Sequence, residues 1–154
     1  MKLLIITQAV DTEDSVLGFF VRWIEEFAKH AEQVEVVCLK KGEYVLPANV
    51  RVYSLGKENG VSRVKYVVNF YRYIWQLRDD YDAVFVHMNP EYVVLGGILW
   101  RLWGKRVALW YMHKSVTIKL RMATLLANYL FTASKESFRI STKKLHITGH
   151  GIDT

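Results

Sequence analysis

Three of the five histidines in this 154-residue sequence, His87, His113 and His150, follow short apolar runs of the kind that form buried strands: Ala83 to His87, Arg106 to Tyr111 and Leu145 to Thr148. A histidine in such a place can act as a general base, orient a substrate hydroxyl or bind a metal, because its ordinary pKa of about 6.5 leaves neutral imidazole at pH 7. It can equally do no more than hydrogen-bond a neighbouring backbone group. Polar residues gather at the same points, with Asn89 after His87, Lys114 and Ser115 after His113, and Ser134 after the run Tyr129 to Ala133. Lys114 could contact an anionic substrate or simply be solvated. Gly18, at the turn from the first strand into a helix, either lets backbone amides approach an anion or allows tight packing against the strand.

Other chemistries find little support. No Glu-x-x-His spacing occurs and carboxylates near the histidines are sparse, so no bound metal is expected. Asp80-Tyr81-Asp82 spells the Asp-x-Asp of metal-dependent sugar transferases, but it falls between a helix and a strand and reads as a polar turn. Neither the Gly-x-Gly-x-x-Gly dinucleotide fingerprint nor a phosphate-cradling Gly-x-x-x-x-Gly-Lys-Ser/Thr loop is present. The single cysteine, Cys38, cannot form an intrachain disulfide, so nothing argues for an oxidising compartment.

The elements that would position these residues alternate between strand and helix. Lys2 to Thr7 reads as a buried strand. Val16, Phe19, Phe20, Trp23, Ile24, Phe27 and Ala28 recur at helical spacing, with Asp14 or Ser15 as the expected cap. A strand follows at Gln33 to Leu39, then a strand at Val50 to Leu55 and a long aromatic-rich helix at Val61 to Arg78. After the strand ending in His87 come a helix from Glu91 to Trp103, a strand at Arg106 to Tyr111, a helix at Val116 to Asn128 and strands at Tyr129 to Ala133 and Leu145 to Thr148, with Ser134 capping a short helix between them. Such alternation predicts an α/β, Rossmann-like open sheet, mostly parallel, with helices on both faces. Ligands of such sheets bind outside the carboxyl ends of the strands. Residues 1–154 are expected to form one domain.

Hydrophobic residues make up 51% of the chain, and no low-complexity tract suggests disorder. The N-terminal apolar run is too short for a signal peptide or a membrane span. Net charge is +6, and it is unevenly placed: the first fifty residues hold five basic and eight acidic side chains, whereas residues 101–154 hold ten and two. That field could attract anionic lipid, phosphorylated molecules or nucleic acid, or be a solvated basic surface. The helix at Val61 to Arg78 mixes Arg63, Lys65, Arg72 and Arg78 with Tyr66, Phe70, Tyr71, Tyr73 and Trp75, which suits an anionic bilayer interface. The same aromatics would also serve as core. No nucleic-acid recognition motif occurs, so nucleic acid is not an expected partner.

In their order these pieces resemble the N-terminal half of a GT-B glycosyltransferase of the retaining family 4 type. The resemblance runs from Lys2 to Thr7 and the loop to Gly18 through Trp23 to Ala28, Val34 to Val37, Tyr81 to His87, Ala108 to His113 and Leu130 to Ser134. It closes at Ile147 to Asp153, where Gly149-His150-Gly151-Ile152-Asp153 is similar to the family's Asn-Gly-Val/Ile-Asp signature. The resemblance implies an acceptor-binding half, with a nucleotide-sugar donor held by a C-terminal half and no metal or other cofactor. It places His113 near the transferred sugar as the catalytic candidate. Gly18, His87, Asn89, Lys114 and Ser134 would face acceptor or donor, and His150 and Gly151 would form the interdomain hinge. This sequence has one glycine in the first loop where many members have two, and His150 where Asn is common.

The family's donor-half motif, Glu-x7-Glu, is not reached, since Glu35 and Glu43 have that spacing only within the first half. The expectation is therefore an acceptor-binding domain, inactive without its donor half or a separate donor-binding subunit. It would serve a lipid-linked or envelope-glycan acceptor at the cytoplasmic membrane face. The alternative is a non-catalytic Rossmann-like module that binds a partner protein or nucleotide.

Overall fold

A computed structural model describes residues 1–148. The expected hinge residues His150 and Gly151 lie outside the described residues. The chain divides into two compact units, Met1–Asp82 and the segment from Ala83 onward.

The first unit contains β1 (Lys2–Val10), α1 (Phe20–His30), β2 (Gln33–Lys41), β3 (Val50–Ser54), a 3-10 turn at Lys57–Asn59 and α2 (Arg63–Gln76). Its strands run parallel in the order β3-β2-β1, with Ile5 opposite Val36 and Val36 opposite Val52. Leu3 to Ile6 and Val36 to Cys38 are buried, as continuous apolar runs are when both sheet faces are covered. From α1, Phe20 and Ile24 are fully buried, and from α2, Phe70 and Ile74.

The first helix begins at Phe20 and not near Val16. The reason is Asp14, whose carboxylate accepts the amides of Val16 at 2.8 Å and Leu17 at 2.7 Å while its carbonyl accepts that of Gly18 at 3.2 Å. These bonds close local turns that compete with helix, and they hold the Asp14 carboxyl below its ordinary pKa. Asp80-Tyr81-Asp82 is a structural turn, as the sequence suggests. The Tyr81 hydroxyl, fully buried, donates to the Ile74 carbonyl at 3.0 Å, and the Asp82 carboxylate accepts the Lys2 amide at 2.9 Å.

The second unit contains β4 (Ala83–His87), α3 (Pro90–Leu102), β5 (Arg106–Trp110), α4 (Ile118–Leu126), β6 (Tyr129–Thr132), a 3-10 turn at Lys135–Ser137 and β7 (Leu145–Ile147). Its strands are parallel in the order β4-β5-β6-β7. Pro90 occupies the first turn of α3, where a missing N–H costs nothing. The helix ends at Gly104, whose φ of 72° lets the Lys105 amide reach back to the Trp100 carbonyl at 2.8 Å. α4 is shorter than its apolar pattern suggests. Thr117 caps it by accepting the Leu120 amide, and Asn128 leaves it to exchange hydrogen bonds with Val107 of β5. The fold class is the α/β, Rossmann-like parallel architecture that the alternation predicts.

Candidate functional site

The carboxyl ends of β4 and β5 and the first turns of the helices that follow them border an open, shallow pocket of ≈ 290 Å³. It is lined by Met88, Asn89, Pro90, Glu91, Tyr111, His113, Ser115 and Thr117. This is where an open parallel sheet presents ligand-binding groups. Asn89 is the N-cap residue of α3 and Thr117 that of α4, so two helix N-termini border the pocket. Both favour partial negative charge nearby. Glu91 opposes that field, and Lys119 lies 3.8 Å from its carboxylate.

His113 is exposed in this pocket. Its Nδ1 accepts the Ser115 amide at 3.0 Å, and its own amide donates to the Ser137 carbonyl at 3.1 Å. An acceptor Nδ1 assigns the proton of the neutral ring to Nε2. The ring is therefore a hydrogen-bond donor at Nε2 and not a base there. Ser134 supports this loop from behind: its hydroxyl shares a 2.8 Å hydrogen bond with the Ser137 hydroxyl and does not cap the 3-10 turn through a backbone amide. Tyr111 packs edge-on against Phe138 and donates its hydroxyl to the Ser115 carbonyl at 3.2 Å. Burial, and then Glu91, push its pKa up.

His87 is only 1% exposed and does not line the pocket. Its ring stacks on Trp110, with centroids 5.5 Å apart and planes 25° apart. Burial depresses its pKa to about 4, so it stays neutral at physiological pH and the acid–base role open to a strand-end histidine is not available to it. The next residue, Met88, has φ of 70°, a left-handed conformation that non-glycine residues adopt at a cost. That twist turns the chain from β4 into the pocket wall and lets the Met88 amide reach the Trp110 carbonyl at 2.7 Å. Asn89 Nδ2 is buried and has no hydrogen-bond partner among the described residues, leaving a donor for a ligand.

Lys114 is exposed beside His113 but does not line the pocket. Gly18 lies in the first unit, in the turn before α1. A Cβ there would meet the Asp14 carbonyl oxygen at 2.8 Å and that of Thr12 at 2.9 Å, so packing alone requires glycine. The amides of Val16, Leu17, Gly18 and Phe20 all donate within this turn. Sequence reasoning passed over Glu91 and Thr117; the signal for both was their place in the first turn or cap of a helix following a strand. Among the described residues, no three His, Cys, Asp or Glu side chains converge as metal ligands would.

The sequence matches no protein-family model and no curated protein. Solved structures resemble it in fold. It is similar to MurG of Acinetobacter baumannii at 17% identity and a TM-score of 0.60, over 96% of this chain and 46% of that one. It is similar to HepE of Anabaena, solved in complex with UDP, at 15% identity and 0.60, over 99% and 45%. It is also similar to the UDP-GlcNAc 2-epimerase of Neisseria meningitidis bound to UDP-GlcNAc, at 16% identity and 0.63, over 97% and 46%. The chain thus spans a little under half the length of each, and its fold is that of one half of a GT-B-type protein.

Proposed function

We propose that this chain is the acceptor-binding half of a retaining glycosyltransferase of the family 4 type. A nucleotide sugar held by a second half would donate its glycosyl group to an acceptor hydroxyl, on a lipid-linked or envelope-glycan acceptor at the cytoplasmic membrane face. In the transfer the bond from the sugar's anomeric carbon to the phosphate oxygen breaks, a bond to the acceptor oxygen forms, and the acceptor hydroxyl's proton passes to the departing phosphate of the nucleotide.

The observation that carries this reading is His113, which lines a pocket rimmed by two helix N-termini and whose Nδ1 accepts the Ser115 amide, so that its neutral ring carries the proton on Nε2. A donor there suits a hydroxyl of the transferring sugar or an oxygen gaining negative charge. Asn89 Nδ2 adds a second donor. The likeness to structures that hold UDP or UDP-GlcNAc supports a nucleotide-sugar substrate.

The test is glycosyl transfer by this chain joined to its donor-binding half, assayed with a panel of nucleotide sugars and with His113→Ala. Acceptor-dependent nucleotide release that collapses in the variant is expected. Transfer at the parental rate in the variant would overturn the role of His113, and nucleotide binding without turnover would favour a non-catalytic module. A second reading, sugar-nucleotide epimerisation, rests on the TM-score of 0.63 to a UDP-GlcNAc 2-epimerase; it predicts a change at the sugar with no acceptor present.

A further inference from the structure

The crossover from β6 to β7 lacks the helix that usually joins parallel strands. Residues 133–144 hold only the 3-10 turn at Lys135–Ser137 and irregular chain. The cover over the sheet ends with it: Leu130 and Thr132 of β6 are fully buried, but the residues opposite them in β7 are not, Leu145 being half-buried and Ile147 57% exposed. Beside them lies an open cavity of ≈ 590 Å³, within the size range of small-molecule sites. Phe138, Ile140, Leu145 and Ile147 supply its apolar lining, and Lys135, Arg139, Ser141 and Thr142 its polar groups. Among the described residues no acidic side chain lines it.

The chain around this cavity is anchored at both ends. Phe138 is buried and meets the Tyr111 ring edge-on at 6.1 Å. Lys144 Nζ donates to the carbonyls of Thr124 and Ala127 at the end of α4, both at 2.9 Å. The polar groups between these anchors are unused. Lys135 and Arg139 are exposed and form no ion pair among the described residues, and the Ser141 hydroxyl makes no hydrogen bond among them. Thr142 Oγ1 accepts the Lys144 amide at 3.3 Å, which leaves its O–H to donate.

We infer that this cavity is a binding site for an organic phosphate monoester with an apolar body. It shares no lining residue with the His113 pocket. A monoester carries close to two negative charges at pH 7 and three acceptor oxygens. Two cations and two hydroxyl donors match it in charge and in number, whereas a carboxylate would leave one cation unpaired. The apolar residues take the hydrocarbon end of the ester. The inference uses neither His113 nor the transfer reading, so its failure leaves that reading in place.

The experiment is calorimetric titration of the 154-residue chain with phenyl phosphate, inorganic phosphate and benzoate, with amide chemical shifts followed by NMR. Phenyl phosphate should bind with a Kd of about 1 mM or below, about tenfold or more tighter than either of the other two, with the largest shifts within residues 135–147. Lys135→Gln/Arg139→Gln, at exposed positions, should keep the far-UV circular dichroism of the parent and lose about tenfold or more of the affinity. Ile147→Ser should narrow the advantage of phenyl phosphate over inorganic phosphate several-fold. Arg63→Gln/Lys65→Gln, an equal loss of charge on α2, should bind as the parent does. The inference is overturned if phenyl phosphate binds more weakly than about 1 mM, if benzoate or inorganic phosphate binds as tightly, or if the largest shifts fall within residues 88–117. It is equally overturned if either cavity variant binds unchanged, or if the α2 variant loses as much as the cavity cations do, which would reduce the effect to net charge.

Discussion

The backbone amide of Ser115 donates to Nδ1 of His113 at 3.0 Å. One backbone bond thereby assigns the tautomer of the imidazole and leaves Nε2–H as its free donor in a ring that lines the pocket. Replacing His113 by Ala should lower kcat/KM of the complete enzyme by about 10²-fold, the order expected for loss of one well-placed donor. Gln, which keeps an N–H near the position of Nε2, should recover part of it. Because the side chain is exposed, both variants should melt within about 2 °C of the parent. Steady-state kinetics beside thermal melts separates a chemical role from a structural one.

His87 makes the stability of this chain depend on pH. Its pKa in the folded chain is about 4, below its ordinary 6.5, because the ring is buried. The unfolded chain takes up the proton first as pH falls. The contribution of the neutral ring is therefore complete above about pH 6.5 and lost progressively towards about pH 4, amounting to about 3 kcal/mol. Urea unfolding across this range should show that loss, and His87→Phe, which keeps a ring beside Trp110, should flatten it. Parallel profiles for the two proteins would show that His87 titrates normally.

Met88 holds its left-handed φ at a cost, and the cost depends on the side chain. Met88→Val should destabilise the chain by about 2 kcal/mol, since a β-branched residue tolerates φ of 70° poorly. Met88→Gly removes the strain along with some packing and should lie within about 1 kcal/mol of the parent. Chemical denaturation of the three proteins gives the order directly.

Cys38 is buried, and burial pushes its thiol up to about 12. Native protein should react with a disulfide reagent at pH 8 at least about a hundredfold more slowly than protein unfolded in urea. Equal rates would mean that the strand β2 opens readily.

Gly18→Ala places a methyl group within 3 Å of two backbone carbonyl oxygens, those of Asp14 and Thr12. A loss of about 1–3 kcal/mol is expected, visible as a lower urea midpoint. A neutral result would show that the turn before α1 can rearrange.

Local pattern made much of this protein legible in its sequence. Ala83 to His87 and Arg106 to Trp110 are strands because continuous apolar runs suit a covered sheet, and Gly104 ends α3 because only glycine takes its conformation cheaply. That His113 stands just beyond a strand follows from the same alternation. Tertiary structure decided the rest, because burial and pairing join segments that no short window spans. The sequence offers His87 and His113 alike as strand-end histidines, yet His87 is the last residue of β4, sealed against Trp110, and His113 lies three residues beyond β5 in a pocket. Asp14 reads as a helix cap, but its carboxylate closes an earlier turn. α2 is apolar around most of its circumference, so periodicity alone cannot say which stripe goes inward; the sheet it packs on chose Phe70 and Ile74 and left Val64, Val68 and Trp75 outside.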